Sequence, residues 1–287
     1  MNFVKKKILL CIKEMRMNQW VKNLLVFAPL LFDRKLLNAN LLLDSILAFF
    51  SFSLISSSIY VINDICDVEE DRKHPKKKHR PIAAGKISIF QAKILSSLLI
   101  LLSLTIAYLV NWYFIVVLLI YVATNILYSL KLKQIPIVDI LLVALMYLMR
   151  VYSGAFAISV EVSNWLLLTT LFAALFIITA KRKSEFVNGK GAETRSVLKY
   201  YDPRSMDHFL IIGATSTLLS YALYTFTHEK IFVWSIIFVL FAIFRYSLLI
   251  FHDEYDVEEP EIIFVKDKQL LSSIILWGMF VTSVLYF

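Results

Sequence analysis

Cysteine is almost missing from this chain: Cys11 and Cys66 are the two in 287 residues. Both fall in stretches that the charge pattern assigns to the reducing, cytoplasmic side, so no disulfide is expected. Two cysteines without paired spacing also give no zinc framework. Six glycines and six prolines supply no linker and no low-complexity segment. Charged residues make up 18% of the chain against 59% hydrophobic ones, and the mean hydropathy is +0.70. That balance excludes a soluble domain of this length. Five histidines fall into neither a Ser-His-Asp nor a Cys-His arrangement, so nothing here suggests nucleophilic catalysis.

What the chain does have is a series of apolar runs, each near the roughly 20 residues that cross a bilayer. They predict an all-α polytopic membrane protein with about nine transmembrane helices, at 20–37, 41–63, 89–110, 112–130, 137–158, 163–180, 206–227, 231–250 and 269–286. Residues 1–287 read as a single transmembrane domain. The first run is the weakest, with Lys22 and Asn23 near its start and Pro29 inside it. Before it, residues 1–19 place Lys5, Lys6, Lys7, Lys13 and Arg16 among apolar residues. No small-residue cleavage site follows, so this segment reads as a basic helix lying in the membrane interface.

Lys and Arg crowd the N-terminus and the loops at 64–88, 131–136 and 181–205, while the loops near Asn111, Glu161 and Glu229 are short and nearly free of them. Positive residues mark the cytoplasmic side. The N-terminus and the long loops are therefore expected in the cytoplasm and the C-terminus outside. The net charge of +8 follows from topology and from anionic lipids or substrates, and calls for no nucleic acid. The run Ser56-Ser57-Ser58 permits close helix packing within the chain or in a homo-oligomer.

One stretch carries chemistry. Asn63, Asp64, Asp67 and Asp71 end the second apolar run, followed at once by Arg72, Lys73, His74, Lys76, Lys77, Lys78, His79 and Arg80. Asp64, Asp67 and Asp71 are spaced i, i+3, i+7, and Asn63, Asp67 and Asp71 i, i+4, i+8; either set shares a helical face. Ionisable residues at a helix mouth are costly and usually functional. A hard divalent cation relieves the repulsion among such carboxylates, and Mg2+, which shares its sites between one or two carboxylates and phosphate oxygens, suits best. The competing reading is a solvated loop whose acids and bases pair with one another.

Other cytoplasmic constellations line up with it. Pro81 and Gly85 bracket a turn back into the membrane. Asn125, Tyr128, Ser129, Lys131 and Lys133 close the fourth span, and Asp139 opens the fifth; a carboxylate inside an apolar run needs a partner, with Lys131 or Arg150 as candidates. Lys181-Arg182-Lys183-Ser184-Glu185 ends the sixth span, and Arg245-Tyr246 precedes an acidic stretch from Asp253 to Glu261. Taken singly, Tyr128, Lys131 and the 181–183 cations also read as interface anchors or topology signals.

Taken together, these motifs resemble the UbiA superfamily of intramembrane prenyltransferases, through Asn63-Asp64-x-x-Asp67-x-x-x-Asp71 and through Asn125-x-x-Tyr128-Ser129 with Asp139. The likeness is greater to its decaprenyl-phosphate phosphoribosyltransferase branch, in Arg16 to Asn23, His74-Pro75, Arg80 to Gly85, Lys181-Arg182 with Glu185, Arg245-Tyr246 and Glu259-Pro260-Glu261. The superfamily implies a UbiA-like bundle and, in its prenyltransferases, two acidic motifs that each hold Mg2+. Here Lys181-Arg182-Lys183 stands where the second would be. Cations repel a metal but hold a bare phosphate, which suggests one metal-diphosphate site and one separate phosphate site.

The implied reaction moves 5-phosphoribose from phosphoribosyl diphosphate to a polyprenyl phosphate, releasing diphosphate, in a bacterial inner membrane. Asp64 and Asp67 are the expected catalytic pair, and Asp64, Asp67 and Asp71 the expected ligands of Mg2+, with Mn2+ as its substitute. Lys22, Asn63, Lys73, Arg80, Tyr128, Lys131, Lys181 and Arg182 are the expected substrate-binding residues, undivided between the lipid phosphate and the ribose 5-phosphate. The alternatives are an isoprenoid transfer to a small acceptor, which needs a second acidic motif, and a non-enzymatic transporter or lipid carrier, which would gather polar groups near the bilayer midplane.

Overall fold

The computed structural model describes residues 3–73, 77–187, 196–251 and 260–287, which form helices and turns. In chain order the α-helices are α1 (Phe3–Glu14), α2 (Ala28–Phe32), α3 (Ala39–Cys66), α4 (Val68–Lys73), α5 (Ile89–Val110), α6 (Trp112–Leu130), α7 (Val138–Ile158), α8 (Asn164–Val187), α9 (Pro203–Thr225), α10 (Ile236–Phe251), α11 (Pro260–Lys266) and α12 (Lys268–Tyr286). Seven segments among the described residues are long and apolar enough to cross a membrane: α3, α5, α6, α7, α8, Lys230–Ile250 and α12. This is an all-α polytopic membrane protein. Helix α9 has the length, at 23 residues, but the Ser, Thr, Asp and His residues along it keep it out of that set.

The first expected span, 20–37, is not one helix. It is a 3-10 stretch, Met17–Phe27, followed by the five residues of α2 and a turn that closes at Asp33. Pro29, which has no N–H to give, stands in the first turn of α2. The side-chain amide of Asn23 ties the 3-10 stretch down by donating to Ser53 at 3.0 Å and Ser56 at 3.3 Å on α3. Gly154 on α7 lets it lie close, since a Cβ there would overlap the carbonyl oxygen of Val26.

Helix ends are fixed by side chains. Asn38 caps α3 through Leu41 N and Asn40 N, Ser88 and Gln91 form a capping box on α5, and Asn111 caps α6 while donating to Phe156 O and Ala157 O at the end of α7. Small residues set the helix contacts. Ser51 and Ser103 donate to each other's carbonyls at 2.8 Å between α3 and α5, and Ser58 meets Ser96 at 2.9 Å. The serine run thus serves packing within the chain: Ser56 accepts from Asn23, and Ser57 accepts from Trp20 and donates to Met15 O. Large apolar side chains stay exposed on the outer faces of α5 and α6, among them Leu101, Leu102, Leu119 and Ile120, as lipid-facing surfaces do.

At 28 residues α3 is about 42 Å long, against a hydrocarbon core of about 30 Å. Its last turns, with Asn63 and Asp64, therefore reach past the apolar core. Of the residues singled out above, His74, Pro75 and Lys76 and the acids from Asp253 to Glu259 lie outside the described residues, as does 188–195 of the 181–205 loop.

Candidate active site

Helix α3 stops at Cys66, Asp67 caps it, and α4 begins at Val68. The backbone N–H of Asp67 still reaches Asn63 O at 2.9 Å and that of Asp71 reaches Asp67 O at 2.8 Å, so the helical register runs on and the three aspartates share a face. Their surroundings differ. Asp64 and Asp71 are buried, while the Asp67 side chain is 39% exposed.

Cations converge on them from three directions. Arg16, between α1 and the 3-10 stretch, donates from Nη2 to both oxygens of Asp64, at 2.5 and 2.6 Å. Arg80 Nη1 donates to Asp64 Oδ1 at 3.0 Å and to Asp71 Oδ2 at 2.6 Å. Lys77 Nζ lies 3.9 Å from Asp71 and Lys133 Nζ 3.8 Å from Asp67. The turn expected at Pro81 and Gly85 is present, with Lys86 N on Pro81 O at 2.9 Å and Gly85 at φ 69°. It returns the chain so that Arg80 faces α3. Arg16 sits at φ 50°, ψ 52°, a left-handed conformation uncommon for arginine, which swings its guanidinium onto Asp64. Burial works against its charge, but the attraction of Asp64 and the hydrogen bonds to it prevail and raise its pKa, so it stays charged.

Glu14 completes the cluster. It is buried, and neither of its carboxyl oxygens has a hydrogen-bond donor among the described residues. Burial first, then the neighbouring Asp64 charge, push its pKa up to about 8, so it carries a proton at neutral pH. In a basic N-terminal segment it is the lone acid, which is the signal that marks it in the sequence.

Among the described residues no three His, Cys, Asp or Glu side chains are grouped closely enough to form a ready metal cage. The donor set nonetheless fits Mg2+. It is oxygen from Asp64, Asp67, Asp71 and Asn63, with Asp67 the accessible member, and Mg2+ takes only one or two protein carboxylates and fills the rest with water and phosphate. The arginines now on Asp64 and Asp71 are 26% and 28% exposed, long enough to transfer to an arriving phosphate.

Asn63 accepts from Ser129 at 3.1 Å, joining the ends of α3 and α6. Lys22 donates to Gln19 at 2.5 Å. Lys73 ends α4 exposed and Lys131 caps α6 exposed; Lys181 is half-buried on α8.

Arg182 lies elsewhere in kind. Its guanidinium is 3% exposed and donates to Asp139 at 3.1 Å, to both oxygens of Glu185 at 3.0 and 3.1 Å, and to Tyr128 at 3.4 Å. Tyr201 donates to the other Asp139 oxygen at 2.7 Å and accepts from Ile137 N at 2.6 Å, which holds Ile137 at φ 68°. The partner of Asp139 is therefore Arg182, not Lys131 or Arg150. Arg150 stands 11 residues further along α7, about 16 Å away, whereas α8 packs beside α7 and delivers Arg182 to the same level. Lys183 is likewise taken, by Asp207 at 2.5 Å. Sequence reading did not give Arg16, Glu14, Glu185 and Tyr201 these roles: spacing within one segment carries no sign of which distant segment meets it.

The sequence profile of the UbiA prenyltransferase family matches residues 26–266. The decaprenyl-phosphate phosphoribosyltransferase of Corynebacterium glutamicum is 33% identical over 288 residues, covering 96% of this chain and 86% of that protein. That of Mycolicibacterium smegmatis is 32% identical, covering 96% and 92%. A UbiA homolog from Archaeoglobus fulgidus, solved bound to DMAPP and Mg2+, superposes with a TM-score of 0.73 at 21% identity, covering 96% of this chain and 99% of that one; the fold is shared.

Proposed function

The chain belongs to the UbiA prenyltransferase family, and on that premise we propose that it transfers 5-phosphoribose from phosphoribosyl diphosphate to a polyprenyl phosphate of decaprenyl type, with Mg2+ and with release of diphosphate. The observation that carries this reading is the fate of the acids a second metal motif would need. Glu185 is bonded to Arg182 and Asp207 to Lys183, while Asp202 caps α9. Among the described residues this leaves one acidic site, at the end of α3, which suits one diphosphate and a second substrate that brings a bare phosphate. The curated relatives named for this reaction, matched across nearly their whole length, support the same choice.

Asp67, with Asp64, Asp71 and Asn63, would hold Mg2+ against the donor's diphosphate. Bound there, the ion supplies Lewis-acid neutralisation of the departing diphosphate. Arg16 and Arg80 exchange carboxylate for phosphate oxygens and stabilise charge that grows as the anomeric C–O bond lengthens. Lys73, Lys131 and Lys181 lie on the same cytoplasmic side and add to the field that draws in polyanionic substrates. Tyr128 links that side to the buried Arg182, which acts as a positioning residue. The attacking lipid phosphate is already an anion, so no side chain need remove a proton. The helices shield the activated donor from water.

Topology follows the charge pattern: N-terminus and site in the cytoplasm, nine crossings with the broken first segment and α9 included, and the C-terminus outside. The test is donor choice. Purified protein with Mg2+ and polyprenyl phosphate should release diphosphate from phosphoribosyl diphosphate and not from dimethylallyl or geranyl diphosphate; the reverse selectivity would refute the proposal.

A further inference from the structure

Arg150 stands near the middle of α7 and is 4% exposed. Its Nε donates to Asn23 Oδ1 at 2.9 Å, Nη1 to Met146 O at 2.6 Å, and Nη2 to the Tyr121 hydroxyl at 3.4 Å. The rings of Phe52, Tyr121 and Tyr147 flank it at 5.4, 5.5 and 5.2 Å. Every one of these partners is neutral. Among the described residues Arg16, Arg80, Arg182 and Arg245 each meet a carboxylate, and Arg150 meets none. Buried charges are otherwise paired, and one within a bilayer span marks function.

Neutral dipoles and π faces stabilise a guanidinium without cancelling it, so a positive potential is left inside the bundle. Tying α7 to Asn23 does not need that charge, because a neutral amide can make the same bond. One N–H on each terminal nitrogen has no acceptor in this set. The place is also connected to the acidic cluster. Asn23 bonds Ser56, eight residues before Asp64 on α3, about 12 Å below it. Lys22 precedes Asn23 in the 3-10 stretch, Phe52 packs on Tyr121 at 4.5 Å two turns before Tyr60 on α3, and Arg16 stacks on Tyr60 at 5.1 Å. Lys22, Tyr60 and Tyr147 are half-buried, and Tyr147 lies against Arg150, so an anion reaching Tyr147 borders the guanidinium.

We propose that Arg150 and Lys22, edged by Tyr60, Tyr121 and Tyr147, form an interior subsite for a phosphate monoester. The subsite rests on the transferase reading only for the source of that phosphate, which both substrates carry: the sugar's 5-phosphate or the lipid's terminal phosphate. Neither acidic cluster nor metal enters it, and it divides the phosphate work of the site between a metal end and a guanidinium end.

The test is equilibrium binding to the full chain in detergent, without Mg2+, of ribose 5-phosphate and, separately, of a short polyprenyl phosphate. Wild type is compared with Arg150→Gln, Arg150→Lys and Lys22→Met, alongside KM for each substrate. Arg150→Gln should weaken one ligand about tenfold to a hundredfold and leave the other within about twofold, with Arg150→Lys recovering part of the loss. A loss confined to ribose 5-phosphate assigns the subsite to the donor; a loss confined to the lipid assigns it to the acceptor. If Arg150→Gln does not fold, Lys22→Met decides on the same readings. Both affinities unchanged in the folded variants, or no binding of either ligand to wild type, overturns the subsite. Wild type that binds ribose 5-phosphate yet transfers no phosphoribose would instead refute the transferase reading and leave the subsite in place.

Discussion

Arg16 grips Asp64 with a single terminal nitrogen, 2.5 Å from one carboxylate oxygen and 2.6 Å from the other. The contact locks the end of α1 onto the end of α3 across 48 residues of sequence. It also separates two roles within one motif. Asp64 is buried and held by two arginines, whereas Asp67 keeps an accessible carboxylate with a distant lysine.

Asp67→Ala should therefore silence the enzyme without unfolding it. Its half-exposed pair with Lys133 contributes less than about 1 kcal/mol, so thermal unfolding should stay near wild type while turnover falls about a hundredfold or more. EDTA should abolish wild-type turnover, and Mg2+ or Mn2+ should restore it. Wild-type activity in the variant would remove Asp67 from the site.

Arg182→Ala should be a stability variant. It leaves Asp139 uncompensated in an apolar surrounding, and breaking a buried pair from one side costs about 3–5 kcal/mol. Asp139→Ala should cost a similar amount, and the double variant less than the sum. Thermal unfolding of the three in one detergent measures this coupling; an Arg182→Ala protein as stable as wild type would contradict it.

Glu14 predicts a pH dependence. Its folded pKa of about 8 stands above the ordinary value of 4.5, so the fold binds the proton more tightly than the unfolded chain does. The stabilisation is complete below 4.5 and is lost progressively as pH rises to about 8. Asp64, Arg16 and Arg80 are the charges that face it. Melting temperature followed across that range should fall in wild type and fall less in Glu14→Gln. Equal slopes would show that Glu14 is not buried with its proton.

Gly154→Ala should loosen the N-terminal arm. The added methyl meets the Val26 carbonyl, and overpacking of this kind costs about 1–3 kcal/mol. Loss of melting temperature, with faster proteolysis after Lys22 of the 3-10 stretch, would register it; an unchanged protein would mean that α7 and the arm can part freely.

Much of this was legible in the sequence, and the limits have physical causes. Apolar length located α3, α5 to α8 and α12, because a bilayer fixes span length. The i, i+3, i+7 spacing put Asp64, Asp67 and Asp71 on one face, because helical register is local. Helix type in 17–32 was not legible: a 3-10 stretch ending at Phe27, just before Pro29, has much the same composition as a tilted span. Nor was the partner of Asp139. Arg150 shares its helix but lies about 16 Å away, and only the packing of α8 on α7 brings Arg182 to it. The neutral setting of Arg150 is a sum over four segments, which no window of sequence contains.

The most direct test incubates purified protein in detergent with Mg2+, polyprenyl phosphate and phosphoribosyl diphosphate labelled in the ribose, then extracts lipid. Label in the organic phase with wild type, and none with Asp67→Ala, is the predicted result. No label from this donor, with transfer of an isoprenoid from its diphosphate to a small acceptor instead, would contradict the account and return the protein to the prenyl-transferring members of its family.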